Sequence, residues 1–478
     1  MLRFVLSSLT TLTVLALHVS TALAVTPLAA DPARQLVLDS RLFESSTNAR
    51  LVVGQVSKDQ RNPLMQVDKP WEISLNNLYP NVAYDPEQQA FHLWYKCVLA
   101  DKQSIGRMEN CTPIHDVGWL ALYATSRDGV AWQKPALGLH RYDGSVDNNI
   151  ATVDTGGFGV FRDPADPDPS RRFKMIYDVE FDEMRIRFSA DGRRWSDEVV
   201  PEGLHLKQYG GRTGDTHSNA FYDPQGKRYI LITRDYRGER LVARSESRDF
   251  LHWSEPKVVL RSTAAEGKKD QTYCMTAFPY GNVYLGLVMM YHQAAGQTVD
   301  CELVWSPDTV QWTRVQPGRA FIPLGPAGSY DAGCIYAQAG PPFAEGDRIA
   351  LYYGGSLAVH RGWIRHCLLC RATLRKDGFA GLEPATAEKP LVLTTKPLRL
   401  AAKTIGLNAD LRGGNLRLSL LDSSGQVLAQ SRLITEDALD QAVAWDGPQN
   451  LAAWQGQLLR LRIECCRGIV YSFTGLEQ

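Results

Sequence analysis

The chain has 478 residues, more than one hydrophobic core can hold and enough for two domains. Its 52 Lys and Arg balance 52 Asp and Glu, which excludes the charge footprint of a nucleic-acid or anionic-membrane partner. Eleven Trp and nineteen Tyr suit β-structure and also stacking on sugar rings.

At the N-terminus Arg3 precedes an apolar run, Phe4 to Leu17, and Ala22-Leu23-Ala24 forms a small-residue cleavage site before Val25. Residues 1–24 therefore read as a signal peptide. The mature protein is expected to be secreted or periplasmic, with no membrane insertion, because no other segment approaches the length of a spanning helix. Arg50 to Val56 follows as a lone strand, a candidate to close a ring of sheets.

Two patterns then alternate five times, with a period of about 60 residues. The first is strand, turn, strand: NVAYDPEQQAFHLWY from Asn81, GVFRDPADPDPSRRFKMIY from Gly159 and NAFYDPQGKRYILI from Asn219. Weaker copies start at Thr276 and Ala339. The second is Ser-x-Asp-x-x-x-Trp, at Ser126/Asp128/Trp132, Ser189/Asp191/Trp195, Ser247/Asp249/Trp253 and Ser306/Asp308/Trp312, with a degenerate copy ending at Asp377-Gly378-Phe379. Its Ser and Asp can satisfy turn amides while the Trp fills the gap between neighbouring units. Each period holds four short strands, and helical periodicity is nearly absent. The fold class is all-β: a five-bladed β-propeller over residues 25–386. From about Pro390 the repeat stops, and alternating segments with Gly and Asn turns predict a β-sandwich over 387–478, read as a buttress.

Nine cysteines leave at least one unpaired. Cys97 and Cys111 flank one loop and are the candidate disulfide. Cys367 and Cys370 lie in an expected strand with no second pair at zinc spacing, so they read as packing. Cys465 and Cys466 fall on opposite strand faces. Asn110-Cys111-Thr112 has the form of a glycosylation sequon.

In a propeller, loops entering the innermost strand and loops joining the second strand to the third converge on one funnel. Asp85, Asp163 and Asp223 sit in turns on the other face and read as structural. Glu72, Asp154, Asp215 with His217, Asp270 and Asp331 precede units one to five. Lys96, then Asp178, Glu180 and Asp182, then Arg234 and Asp235, His292, Asp300 and Glu302, and His360 occupy the other funnel slots. Two carboxyls across a sugar-sized gap are the machinery of glycoside hydrolysis, one protonated as acid and one ionised as nucleophile or base. No Gly-x-Ser-x-Gly elbow suggests a serine nucleophile.

This layout, with its trailing sandwich, resembles the five-bladed glycosidases of the invertase and levanase family and the arabinanase and xylosidase family. The resemblance implies a carbohydrate substrate and acids at the funnel ends of units one, two and three, which by position are Glu72, Asp154 and Asp215. The fructosidase Asn-Asp-Pro signature is absent; Asn76-Asn77-Leu78-Tyr79-Pro80-Asn81 stands there. Arg162-Asp163-Pro164 matches Arg-Asp-Pro but falls in a far-face turn, and Glu464-Cys465 matches Glu-Cys but falls in the sandwich. Asp215 and Glu72 are expected as acid and base or nucleophile in either order, with Asp331 beside them. Asp154, His217, Arg234, Asp270, His292, Glu302 and His360 are expected to hold hydroxyls or an anionic sugar group. Neither a metal nor a cofactor is expected. A non-catalytic carbohydrate-binding propeller, a uronate lyase and a sialidase-like enzyme are the alternatives.

Overall fold

The computed structural model describes residues 25–478 apart from 180–182, 205–213, 363 and 448–450. Residues 1–24, expected to be a signal peptide, and Glu180 and Asp182 lie outside the described residues. The fold is all-β.

The strand–turn–strand units form antiparallel sheets in chain order. The first runs Asn81–Asp85, Ala90–Leu99, Gly118–Ser126 and Ile150–Val153. Gly159–Arg162, Phe173–Val179 and Glu183–Ser189 form the second. Asn219–Asp223, Arg228–Tyr236, Arg240–Ser247 and Lys257–Leu260 form the third. The fourth is Asp270–Tyr280, Val283–His292, Thr298–Ser306 and Thr313–Arg314. In the last, Cys334–Ala337 and Phe343–Glu345 share the partner Arg348–Ser356, which pairs with Leu368–Arg375. A single parallel bridge, Val299 to Cys334, joins the last two sheets.

First strands of successive sheets touch in a closed cycle. Asn81 Oδ1 accepts from the Val160 N–H at 2.8 Å, and Asn219 Oδ1 from the Ala277 N–H at 2.9 Å. Gly159 passes so close to Ser218 that a Cβ there would lie 1.7 Å from its carbonyl oxygen. The cycle returns through the Ala339 N–H to the Pro80 carbonyl, 2.9 Å.

The Ser-x-Asp boxes behave as turn chemistry dictates. In the first, Asp128 Oδ1 accepts from the N–H groups of Val130 and Ala131 at 2.9 and 2.8 Å, and Ser126 Oγ accepts from Gly129. Trp132 then packs between sheets, 5.9 Å from Tyr352 and 6.4 Å from Phe91. The far-face aspartates lock neighbouring sheets: Tyr229 donates to Asp163 at 2.8 Å and Tyr284 to Asp223 at 2.6 Å.

Two expectations need correction. Most of Arg50 to Val56 does not join the sheet cycle, because Ala49–Val53 pairs with Ala380–Pro384 in the C-terminal body. The next segment, Ser57–Lys58, pairs with Leu368–Arg375 instead. Gly54 permits this exit, since a Cβ there would meet the Gly378 carbonyl oxygen at 1.7 Å. Cys97 and Cys111 are not bridged; all nine cysteines are free. Cys97 points inward and donates to the Trp71 carbonyl at 3.3 Å, while Cys111 lies against Asp154.

The C-terminal residues form two further sheets around one aliphatic core that includes Leu393, Leu407, Leu418, Ile463 and Phe473. Arg34–Leu36, Phe43–Thr47 and Ala49–Val53 also pair into these sheets, so the N-terminal strands belong with residues 387–478 in pairing terms. Buried Asp377 ties the two bodies together, accepting from Arg34 at 2.6 Å and Ser472 at 2.6 Å.

Candidate active site

A cavity of about 340 Å³ is lined by Asn76, Asn77, Lys96, Asp215, Arg240, Tyr273, His360, Gly362 and Arg365. The strands deliver these groups through their ends. Asp178 closes the second strand of sheet two, and Asp215 precedes sheet three on a left-handed backbone, φ 43°, after Gly214 at φ 86°. A Cβ on Gly214 would lie 2.6 Å from the Asp178 Cβ, so only glycine lets the two acids approach this way.

Asp178 is buried and accepts from the Gly157 N–H at 2.6 Å. Burial, reinforced by the neighbouring Asp215 carboxylate and opposed by Lys96, pushes its carboxyl up to about 7. Asp215 forms an ion pair with Arg234 at 2.9 Å, and Arg234 also donates to the Tyr273 carbonyl at 2.8 Å. Burial pushes the Lys96 amine down to about 8, against the pull of Asp215 and Asp178. Its Nζ lies 4.0 Å from the Trp119 ring centre and 5.0 Å from that of Tyr79. Below the cavity, His217 stacks on Tyr79 at 4.8 Å and donates to Asn81 Oδ1 at 3.2 Å, with burial pushing it down to about 3.

Of the residues expected at the site, Asp215 and His360 line the cavity, Arg234 holds Asp215, and His217 lies beneath. The others are placed elsewhere. Glu72 is buried against Lys134 at 2.8 Å and Tyr95 at 2.8 Å, and accepts from the Asp68 and Lys69 amides. Asp331 is buried between Lys58 and Tyr353, pinning the Ser57–Lys58 strand to its sheet. Glu302 is clamped by Arg314 at 2.8 and 2.7 Å. Asp154 accepts from the Thr112 N–H at 3.0 Å and lines a separate cavity with Arg187, Arg194 and Glu198. Asp270 and Asp300 flank His292 at 3.3 and 3.2 Å, and His292 is raised by them. None of these lines the Asp215 cavity.

The repeat register puts Asp178 and Lys96 in funnel slots but gives neither a role. Arg240, Tyr273 and Arg365 carried no sequence signal of their own. A larger cavity, about 550 Å³, lies at the seam with the C-terminal body, where Arg50 is paired with Glu383 and Arg412 with Asp410. Among the described residues no group of three His, Cys, Asp or Glu is placed to hold a metal ion, and no helix is long and apolar enough to cross a membrane.

No family model matches the chain, and no curated protein matches its sequence. Among solved structures it is similar to a β-1,2-mannobiose phosphorylase from Listeria innocua, with 12% identity over 67% of this chain and 96% of that one at a TM-score of 0.46. It is also similar to a glycosyl hydrolase from Bacteroides ovatus, with 12% identity over 67% and 94% at 0.44. A third is a family 43 arabinoxylan arabinofuranohydrolase from Bacillus subtilis, with 10% identity over 87% and 97% at 0.41.

Proposed function

We propose that the chain is a secreted glycoside hydrolase, a five-bladed β-propeller followed by a β-sandwich, acting on an extracellular poly- or oligosaccharide. The closed cycle of first-strand contacts supports the five blades. One observation carries the chemistry: Asp215 lines the cavity, and the buried carboxyl of Asp178 directly beside it is raised to about 7 by burial and by Asp215. A raised acid beside a carboxylate held in an ion pair supplies a proton donor and a charged partner in one place.

In this reading Asp178 donates its proton to the leaving glycosidic oxygen. Asp215, in its ion pair with Arg234, is the charged member that stabilises the developing positive charge or activates water. Asp178 thus takes the role expected of Glu72. Tyr273, at the cavity wall, offers an aromatic ring against which a sugar ring can pack.

The test is product release from a broad glycan panel by wild type, Asp178→Asn, Asp215→Asn and Glu72→Gln, with folding checked by circular dichroism. Asp178→Asn is expected to lower kcat by about 10²- to 10⁴-fold, the usual share of general acid catalysis. A wild type that binds glycan and cuts none would move the protein to the carbohydrate-binding reading. Loss of cleavage in Glu72→Gln with Asp178→Asn fully active would return the acid role to Glu72.

A further inference from the structure

Five arginines are buried among the described residues: Arg234, Arg244, Arg314, Arg365 and Arg371. Arg234 is paired with Asp215, Arg244 with Glu246, Arg314 with Glu302, and Arg371 with Asp59 and Glu345. Arg365 is only 5% exposed and has no carboxylate partner among the described residues. Its guanidinium donates to the Gly362 carbonyl at 2.6 Å, to Asn76 Oδ1 at 3.4 Å and to Asn77 Oδ1, and its Nε has no partner.

A buried cation without a counter-charge is expensive, and natural folds pair it or use it. Arg365 lines the same cavity as Arg240, whose guanidinium sits 5.4 Å from the ring centres of both Tyr273 and Tyr291 and donates to Gln271 at 2.9 Å. His360 completes the group. A guanidinium can only donate, so the 3.0 Å contact from Arg365 makes His360 Nδ1 an acceptor and leaves the ring proton on Nε2. Burial, followed by Arg365 and Arg240, pushes this histidine down to about 2, which keeps it a neutral donor. Three cations, Lys96, Arg240 and Arg365, therefore line the cavity with one carboxylate, Asp215, which Arg234 already pairs.

We propose that the cavity takes a saccharide bearing an anionic substituent, a carboxylate or a sulfate, seated against Arg365 and Arg240 with the His360 N–H as a third donor. This rests on the glycosidase reading for the sugar and adds the charge. Guanidinium forks match the planar or tetrahedral oxygens of such a group.

The test measures binding and turnover of four probes: an oligogalacturonate, a sulfated galactan oligosaccharide, and neutral xylo- and arabino-oligosaccharides with and without inorganic phosphate. One charged probe is expected to bind more tightly than the neutral ones and to weaken with added NaCl. Arg240→Gln and Arg365→Gln are each expected to weaken it by about tenfold or more, with partial recovery in Arg365→Lys. Arg240 is the less buried of the two, so its variant keeps the test standing if Arg365→Gln does not fold. Asp178→Asn separates the two readings, since it should bind the charged probe and fail to cut it. Arg-dependent binding of a charged probe that wild type never cuts would sink the glycosidase reading and leave this one intact. Neutral oligosaccharides bound equally well, independent of salt and of Arg240, would overturn it. So would neutral substrates turned over only when phosphate is added, which would assign the cations to the free ion.

Discussion

Lys96 and Lys174 are both buried amines on second strands, in neighbouring sheets, and they are treated in opposite ways. Lys174, with no exposed side-chain surface, touches Asp163 at 2.9 Å, Asp166 at 2.7 Å and the Arg171 carbonyl at 2.8 Å. Lys96 has no carboxylate within ion-pair distance among the described residues and rests on the faces of Trp119 and Tyr79. The Lys174 group is a closed account of charge on the far face, where the Asp-Pro turns lock sheets together. The Lys96 group is left open at the cavity, where its field can act on Asp178 and on a ligand. In the proposed reading, satisfied buried charge marks architecture in this molecule and unsatisfied buried charge marks chemistry.

The sharpest way to break that contrast is to remove each amine. Lys174→Met removes the amine that Asp163 and Asp166 share, leaving Asp166 only Arg171 at 3.5 Å, and breaking a buried pair from one side costs about 3–5 kcal/mol. Lys96→Met removes a cation that burial already disfavours, so its cost is expected to be close to zero or negative. Urea unfolding of both variants checks this, and equal losses would erase the distinction.

The same substitution sharpens the electrostatics. Asp178 must be protonated to act as acid, so kcat/KM is expected to fall about tenfold per pH unit above about 7. Lys96 pulls Asp178 downward, so Lys96→Met should move that alkaline limb to higher pH. Stability follows the same sign. A carboxyl raised in the folded state from its ordinary 3.8 contributes fully below that value and loses the contribution as pH climbs through about 7. Asp178→Asn should therefore flatten the stability profile between about pH 4 and pH 7. An unchanged pH–rate profile in Lys96→Met would mean that the amine and the acid do not communicate.

The contrast also explains what could be read from the chain. Strands at Asn219–Asp223 and Arg228–Tyr236, the Ser-x-Asp turns, and the placement of Asp163 and Asp223 in turns are legible, because each depends on neighbours a few residues away, whereas their bonds to Tyr229 and Tyr284 are not. Which funnel acids remain open is not legible. Glu72 is taken up by Lys134, 62 residues on, and Asp331 by Lys58, 273 residues back. A repeat register puts every acid at the same height in its unit, and long-range cations decide which of them reach the cavity. Arg365 is illegible for the same reason: what sets it apart is the lack of a carboxylate partner among the described residues.

The smallest effect tests whether the far-face network is redundant. Tyr229 donates to Asp163, which keeps Lys174 and the Ala165 amide as partners, so Tyr229→Phe removes one donor from a carboxylate that remains paired. The expected loss is about 1–2 kcal/mol, at the lower end for a hydrogen bond to a charged group. At the cavity, Tyr273 bonds Asn77 at 2.9 Å and Tyr79 at 3.2 Å, with no charged partner for its hydroxyl. Tyr273→Phe should cost less in urea, about 1 kcal/mol or below, while weakening glycan binding. If Tyr229→Phe were the one to impair binding and Tyr273→Phe the one to unfold the protein, the assignment of architecture to one face and chemistry to the other would be reversed.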